Sequence, residues 1–258
     1  MNPYLIALLF FLFGYVINMF YITVFYHRAL THRALKLSPF STWLVSATGM
    51  WVTGIDPKGW ICMHRLHHLH SDTDQDPHSP IRFGMWGVIK GQAMSYEKLL
   101  IQMLKKKQST LDVVADLPFD VHYLTRRGGY WFLTPYFLHL LLAIALGFVF
   151  NFWGVGLAYF LGMLSHPIQG WAVNSLAHRY GYENFDNHDH SKNNLMVAWL
   201  VFGEGFQNNH HHYPERANFA VKKNEFDPGY VLCKIGEGLG LLNLPVVTIH
   251  AGEGIKGI

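Results

Sequence analysis

Charge is scarce in this chain. Asp, Glu, Lys and Arg make up 14% of its 258 residues, half of the residues are hydrophobic and 16% are aromatic. A soluble domain carries roughly a quarter of charged residues, so the composition excludes an ordinary soluble protein and points to a membrane protein. The shortage is local: residues 1–26 and 129–177 contain no Lys, Arg, Asp or Glu, and every formal charge falls within 28–127 or 179–256. Cysteine is nearly absent as well. Cys62 and Cys233 form no CxxC pair, which excludes a zinc finger and an iron–sulfur cluster, and both read as buried reduced thiols. No CxxCH or HPGG haem motif is present. With a net charge of +3 and no basic array to track a phosphate backbone, nucleic acid is excluded as a partner, and Lys105, Lys106 and Lys107 read as a solvated or interfacial face. Low-complexity tracts, repeats and long Gly/Ser linkers are also missing, so a single domain over 1–258 is expected.

Long apolar runs are what the chain does have. Residues 3–26, 130–150 and 153–173 are each long enough for a helix to cross a bilayer core, which takes roughly 20 residues. The last two form a helical hairpin around Asn151 and Phe152. The first run lacks a basic start and a small-residue cleavage site, so it is expected to stay in the membrane. The positive-inside tendency places both charged blocks in the cytoplasm, with the N-terminus and the 151–152 turn outside. A fourth apolar stretch, 40–55, is only about 16 residues long, short for a crossing, and reads as a re-entrant or interfacial helix. Residues 94–108 have the spacing of an amphipathic surface helix. The fold class is therefore an all-α integral membrane protein with about three transmembrane helices, one dipping segment and a cytosolic helical cap.

Histidine is abundant, 17 residues in all, and it is clustered. His27 and His32 lie in HRALTH, His64, His67 and His68 in HRLHH, Asn174 and His178 in NSLAH, and Gln207, His210, His211 and His212 in GEGFQNNHHHYP. Neutral imidazole suits iron, zinc and copper, whereas carboxylate-rich sites suit magnesium or calcium. On an α-helix His64 and His68 face the same way and His67 is turned about 60° aside, so the triplet serves one metal and leans toward another. His27 and His32 would point about 140° apart, which suits two metals or a helix that ends between them. Asn174 and His178, four apart, face one pocket. Eight histidines exceed what a single four- to six-coordinate ion uses, so two metals follow if all eight are ligands. These clusters meet on one face only if residues 40–55 do not cross. Asp72, Asp74 and Asp76 in SDTDQDPH and Glu204 are candidates for orienting the imidazoles, because a metal-bound His usually donates its other N–H. His139, His166 and His250 read as packing or hydrogen-bonding residues, and His70, His78, His188, His190 and His212 sit close enough to matter but match no motif role.

These residues resemble the membrane fatty acid desaturases of the acyl-CoA and acyl-lipid type, a histidine-box family, from HRALTH through HRLHHLHSDTDQDPHSP and WAVNSLAH to FGEGFQNNHHHYP. The resemblance implies membrane helices under a cytosolic cap, a non-haem di-iron centre, a bent hydrophobic tunnel for an acyl chain, and a double bond introduced at the expense of dioxygen and two electrons. It implies that His27, His32, His64, His67, His68, His178, His210 and His211 are iron ligands and that Asn174 acts near one iron, often through water. The acyl chain would be linked to CoA, acyl-carrier protein or lipid, and the electrons would come from a ferredoxin, rubredoxin or cytochrome b5. Gln207 departs from the pattern, because acyl-CoA desaturases typically carry a ligating histidine there. It would bind iron through its amide oxygen, bind through water, or leave the role to a neighbour such as His212. An additional N-terminal membrane helix of many relatives is expected to be missing.

Two rival classes remain. A lipid or alkane hydroxylase, or an acetylenase, would use the same scaffold. A membrane metal transporter or haem carrier would place ligands within the spans, whereas here the clusters lie at span ends. A ferritin-like di-iron enzyme is disfavoured because the chain has no Glu-x-x-His pair.

Overall fold

The computed structural model describes residues 2–245, which leaves His250 outside it. The chain is mostly helical. The helices begin where the sequence writes a cap followed by proline. Asn2–Pro3, Ser38–Pro39, Asp56–Pro57, Ser79–Pro80 and Asp227–Pro228 each place a side-chain acceptor at the N-cap, with proline as the next residue. Proline is tolerated there because the first-turn N–H has no intrahelical partner. These pairs start α1 (Pro3–Met19), α2 (Pro39–Thr53), α3 (Pro57–His70) and α4 (Pro80–Leu104), and later α12 (Pro228–Gly238). The surface helix expected over 94–108 is the second half of α4, which bends at Gly84 and stops at Leu104.

Helix α1 does not end where its apolar run ends. It passes into a π-helical segment, π1 (Phe20–Thr31), so the continuous helix covers Pro3–Thr31 and carries His27 and Arg28 inside it. A second long apolar helix covers Gly129–Val149, a 3₁₀ turn at Gly129–Leu133 followed by α7 (Thr134–Val149). The most apolar windows of these two helices are only 28% and 17% buried, which is not how the core helix of a soluble protein sits. Leu8, Leu12 and Phe13 on α1, and Leu138, Leu141 and Phe148 on α7, are exposed. An apolar surface of that extent suits lipid rather than water.

The uninterrupted span expected over 153–173 is not formed. Helix α8 (Trp153–Met163) has 11 residues, the chain breaks at Leu164 and Ser165, and α9 (His166–Trp171) and a second π segment, π2 (Ala172–Leu176), follow. The cause is Pro167, which has no N–H to offer and whose ring excludes the carbonyl four residues back, that of Met163. The buried Asn18 of α1 donates its amide to the Met163 carbonyl at 2.7 Å, replacing the lost partner. Helix α8 packs closely along α1 at this level: a Cβ on Gly162 would stand 2.4 Å from the Phe11 carbonyl oxygen.

The stretch 40–55, expected to dip into the membrane, forms α2, 15 residues long, with Phe40 and Trp43 exposed and Val45 and Met50 buried. It packs against π1 and α3 and ends at Gly54. Short helices α5 (Gln108–Leu111) and α6 (Tyr123–Arg127) follow α4, and α10 (Leu195–Leu200) and α11 (Gln207–His212) precede α12. A two-residue antiparallel pair, Lys36–Leu37 with Leu242–Asn243, ties the end of π1 to the end of the described chain. The main core lies between π1, α2, α3 and α12 around Phe25, Tyr26, Val45, Ile61 and Cys233. Both cysteines are free and buried, as expected. His139 also has the packing role expected of it, joining the Tyr159 hydroxyl and the Trp51 carbonyl.

Candidate metal centre

Five imidazoles gather around the end of π1. His27, His32, His64, His68 and His210 each bring one ring nitrogen to within 4.8 Å of all the others, and His67, His178 and His211 form a second such group. Helix angles separate the second box as expected: His64 and His68 face the first group and His67 the second. For the first box, the π-helix changes the outcome. His27 and His32 are five apart, and the His32 amide donates to the His27 carbonyl at 3.1 Å, so one wide turn closes between them. That turn puts both rings in the same group instead of 140° apart. The wide turn π2 ends just before His178 and delivers it to the second group, while Asn174 lines the adjoining cavity with its amide 3.5 Å from Gln92 Oε1. Because the HRALTH histidines share one group with His64 and His68 of HRLHH, α2 does not part them.

The nitrogens inside each group fit metal ions. In the first group, Nε2 of His210 lies 3.0 Å from Nε2 of both His27 and His68, and Nε2 of His68 lies 3.1 Å from that of His64. A ring whose Nδ1 donates to a carboxylate presents a lone pair at Nε2, and converging lone pairs need a cation. His27 Nδ1 meets Glu204 at 2.6 Å. The second group repeats the arrangement three times: Nδ1 of His67 meets Asp76 at 2.9 Å, Nδ1 of His178 meets Asp72 at 3.3 Å, and Nδ1 of His211 meets Asp189 at 2.6 Å. All three Nε2 atoms are buried without a hydrogen-bond partner among the described residues. Buried polar atoms rarely stay unpaired, and three that converge mark a ligand position.

The protonation states agree. Burial, reinforced by neighbouring imidazoles, holds His64, His68 and His210 well below the ordinary histidine range. Burial also pushes His211 down to about 4 against the pull of Asp189. His178 is the exception, since the hydrogen bond and charge of Asp72 more than offset its burial and raise it. Burial works against ionisation of Asp76 too, yet the bond to His67 holds it at about 2. Most of the rings are therefore neutral and ready to coordinate, and their carboxylate partners are charged.

Of the candidates for orienting the rings, Asp72, Asp76 and Glu204 touch them, while Asp74 is exposed. Glu204 is presented by Gly203, whose φ of +85° and contact with Asp227 exclude any side chain: a Cβ there would stand 1.8 Å from Asp227 Oδ1. Glu204 also binds Arg28 at 2.8 Å and the Thr23 hydroxyl. Arg28 is fully buried, reaches Asp227 at 3.0 Å and the Ala217 carbonyl at 2.9 Å, and lies over the Phe219 ring. Gln207 is buried, donates its amide to the Glu204 carbonyl at 2.7 Å and lines the cavity. His212 does not join either group: its ring stacks on Phe185 and its Nδ1 meets Asn187 at 2.9 Å. Sequence reasoning missed Asp189, which meets His211. Asp189 sits between His188 and His190, both exposed, and its acidic side chain near a histidine box was the available signal.

A cavity of about 710 Å³ adjoins the first group. Its lining is mainly apolar, with Met50, Ile55, Met63, Leu100, Leu124 and Phe132, and it reaches His27, His64, His78, Asn174, Glu204 and Gln207. Trp60 lines it, whereas Trp51 packs on His122 and Trp171 stacks on Trp86.

A family model described as fatty acid desaturase matches residues 2–223. The chain belongs to the fatty acid desaturase family. It is 33% identical to an acyl-CoA 5-desaturase of Anemone leveillei over 88% of this chain and 67% of the relative. It is 34% identical to the chloroplastic palmitoyl-monogalactosyldiacylglycerol delta-7 desaturase of Arabidopsis thaliana over 85% of this chain and 56% of the relative. With the sn-1 stearoyl-lipid 9-desaturase of Anabaena variabilis the identity is 32% over 85% and 76%. The desaturase-family membership makes the chain an oxygen-dependent oxidoreductase.

In this desaturase-family chain the last histidine box is held by a polar network. Glu225 accepts from the Tyr182 hydroxyl, the Asn184 and Asn209 amides and the Val221 and Lys222 N–H groups, at 2.6–2.9 Å. Asn209 adjoins His210. Burial alone would raise the Glu225 carboxyl, but these donors hold it below the usual carboxylate range. A carboxyl depressed in the fold stabilises it above the unfolded value, about 4.3, and that stabilisation is lost as pH falls through the folded value. Glu225→Gln is therefore expected to lower the melting temperature of detergent-solubilised protein at pH 6.5, with the gap to wild type narrowing as pH falls below the unfolded value. A gap that stays constant across this range would show that the carboxylate charge is not what holds the network.

Proposed function

We propose that this chain is a membrane-bound fatty acyl desaturase with a histidine-held di-iron centre. The observation that carries the reading is a mainly apolar cavity that reaches His27 and His64 of the first of two histidine groups. His27, His32, His64, His68 and His210 hold one iron. His67, His178 and His211 hold the other, with Asn174 and Gln207 reaching it directly or through water. Bound iron supplies the dioxygen activation needed to break an unactivated C–H bond, which no side chain provides. The chain's own residues do the rest. Asp72, Asp76, Asp189 and Glu204 fix ring orientation and tautomer, and the apolar lining aligns two adjacent methylenes and keeps water away. The overall change removes two hydrogens from a –CH2–CH2– unit, takes up one dioxygen, two electrons and two protons, and yields a double bond and two waters. The electrons come from a separate donor protein of the ferredoxin, rubredoxin or cytochrome b5 type.

Two helices of the chain, Pro3–Thr31 and Gly129–Val149, cross the bilayer, and α8 with its broken continuation forms the third crossing. The helix ends near the histidines are the end of π1 and the end of π2, on the side that carries the charged blocks, so the centre faces the cytoplasm and the N-terminus lies outside. α2, with Phe40 and Trp43 exposed, and α10, with Met196 and Trp199 exposed, lie at the interface. The substrate is an acyl chain linked to CoA or lipid, the carriers named for the relatives.

The test is expression in a host without desaturases, followed by mass spectrometry of the total acyl pool. New monounsaturated chains with one double-bond position are the expected product. Hydroxylated chains without new unsaturation would overturn the reaction in favour of a hydroxylase, and a triple bond in place of an existing double bond would identify an acetylenase.

A further inference from the structure

We propose that His78 is a ligand of the second metal ion, supplying the imidazole that position 207 lacks. The inference rests on the di-iron reading above. Four observations carry it. The two groups are unequal, with five imidazoles in the first and three in the second. Gln207 lies one helical turn before His211 on α11, so it shares the face that serves the poorer group, and its amide nitrogen is taken by the Glu204 carbonyl. His78 is 1% exposed, and both its ring nitrogens are buried without a hydrogen-bond partner among the described residues. Its ring stacks on His67 with centroids 4.3 Å apart, while the His178 and His211 rings lie 5.5 and 5.2 Å from His67. His67 is thus flanked by three imidazoles, and a ligand atom each of His67, Asp76 and His78 lie within 4.8 Å of one another.

The loop that follows α3 explains why His78 stands there. Asp76 accepts from His67 Nδ1 with both oxygens, from the His78 amide at 2.9 Å and from the Asp72 amide at 2.9 Å. Asp72 in turn binds the Ser79 hydroxyl at 2.9 Å and His178. The two carboxylates that orient His67 and His178 therefore also hold the His78 amide and the side chain of Ser79 next to it. A ring held so firmly, with neither nitrogen paired and lining the cavity beside the metal groups, carries an unpaid desolvation cost that coordination through one nitrogen removes.

The experiment is metal retention by detergent-purified protein loaded with ferrous iron or with Co2+ and then challenged with a chelator, alongside the visible absorption of the Co2+ form. Wild type retains about two ions per chain, and His78→Ala and the bulkier His78→Gln retain about one, with loss of part of the Co2+ spectrum. Gln207→His added to His78→Ala restores the second ion, which a merely structural role for His78 would not allow. Retention of about two ions with an unchanged Co2+ spectrum in His78→Ala and His78→Gln overturns the assignment while leaving the di-iron reading intact. A wild-type chain that takes up neither metal overturns the di-iron reading, and this ligand with it.

Discussion

Alanine at His68 abolishes new unsaturation and lowers metal retention from about two ions to about one. His68 sits at the centre of the first group, its Nε2 between those of His64 and His210. Removing it takes away one ligand and the ring that lies between His64 and His210, which leaves the first group with four imidazoles and a gap between α3 and α11. Loss of an outer partner of a metal-bound histidine costs about 10- to 100-fold in affinity or activity, and loss of the ligand costs at least the upper end of that range. Asp76→Asn provides the graded comparison. It keeps the shape of the loop but removes the charge that faces His67 Nδ1, and it is expected to fall within about 10- to 100-fold. The measurements are double-bond formation in the expression host and iron per chain after purification. Unchanged products from His68→Ala would refute the metal assignment.

Replacing Arg28 with Met is the second large effect, and it acts on the fold before it acts on chemistry. Arg28 is buried between Glu204 and Asp227 and makes the bond to the Ala217 carbonyl that ties π1 to the segment before α12. Methionine fills the volume but leaves two buried carboxylates facing each other without a cation. Breaking a buried pair by removing one partner costs about 3–5 kcal/mol. For a chain of this size that corresponds to a fall in melting temperature of about 10 °C. Asp227→Asn in the same chain removes one of the stranded charges and is expected to recover part of the loss. Glu204, released from Arg28, also loses its fixed position against His27, so iron retention falls with stability. A melting temperature within a degree or two of wild type, measured by dye-detected unfolding in detergent, would show that the carboxylates are neutral in the fold and that Arg28 is not their counter-ion.

The sequence was most legible where a physical signal is local. The uncharged runs marked two long helices, and the spacing of HRLHH sorted His64 and His68 from His67. Asp72, Asp76 and Glu204 were found by chemistry alone, because a ligating imidazole needs a partner for its other nitrogen. What stayed hidden depends on backbone geometry that composition does not encode. The 140° between His27 and His32 assumed an α-helix, and the wide turn of π1 removed it. The third run looked continuous because hydropathy does not register the missing N–H of Pro167, although the proline itself was in plain view. His78 and Asp189 had no motif to announce them. Their roles come from a loop folding back on α3 and from a segment far along the chain, both tertiary events.

The wide turn of π1 has a further consequence, in counting. It packs one residue more into a turn than an α-helix does, so the distance between the histidines of HRALTH is set by chain length as well as by residue type. Loss of one residue between them would leave the four-residue spacing of His64 and His68, which shares a face only on an ordinary α-helical turn, so the spacing of HRALTH and its wide turn have to change together. A gap at this point in an alignment of related chains is therefore expected to mark a change from a wide turn to an α-helical one, with both histidines still on one face.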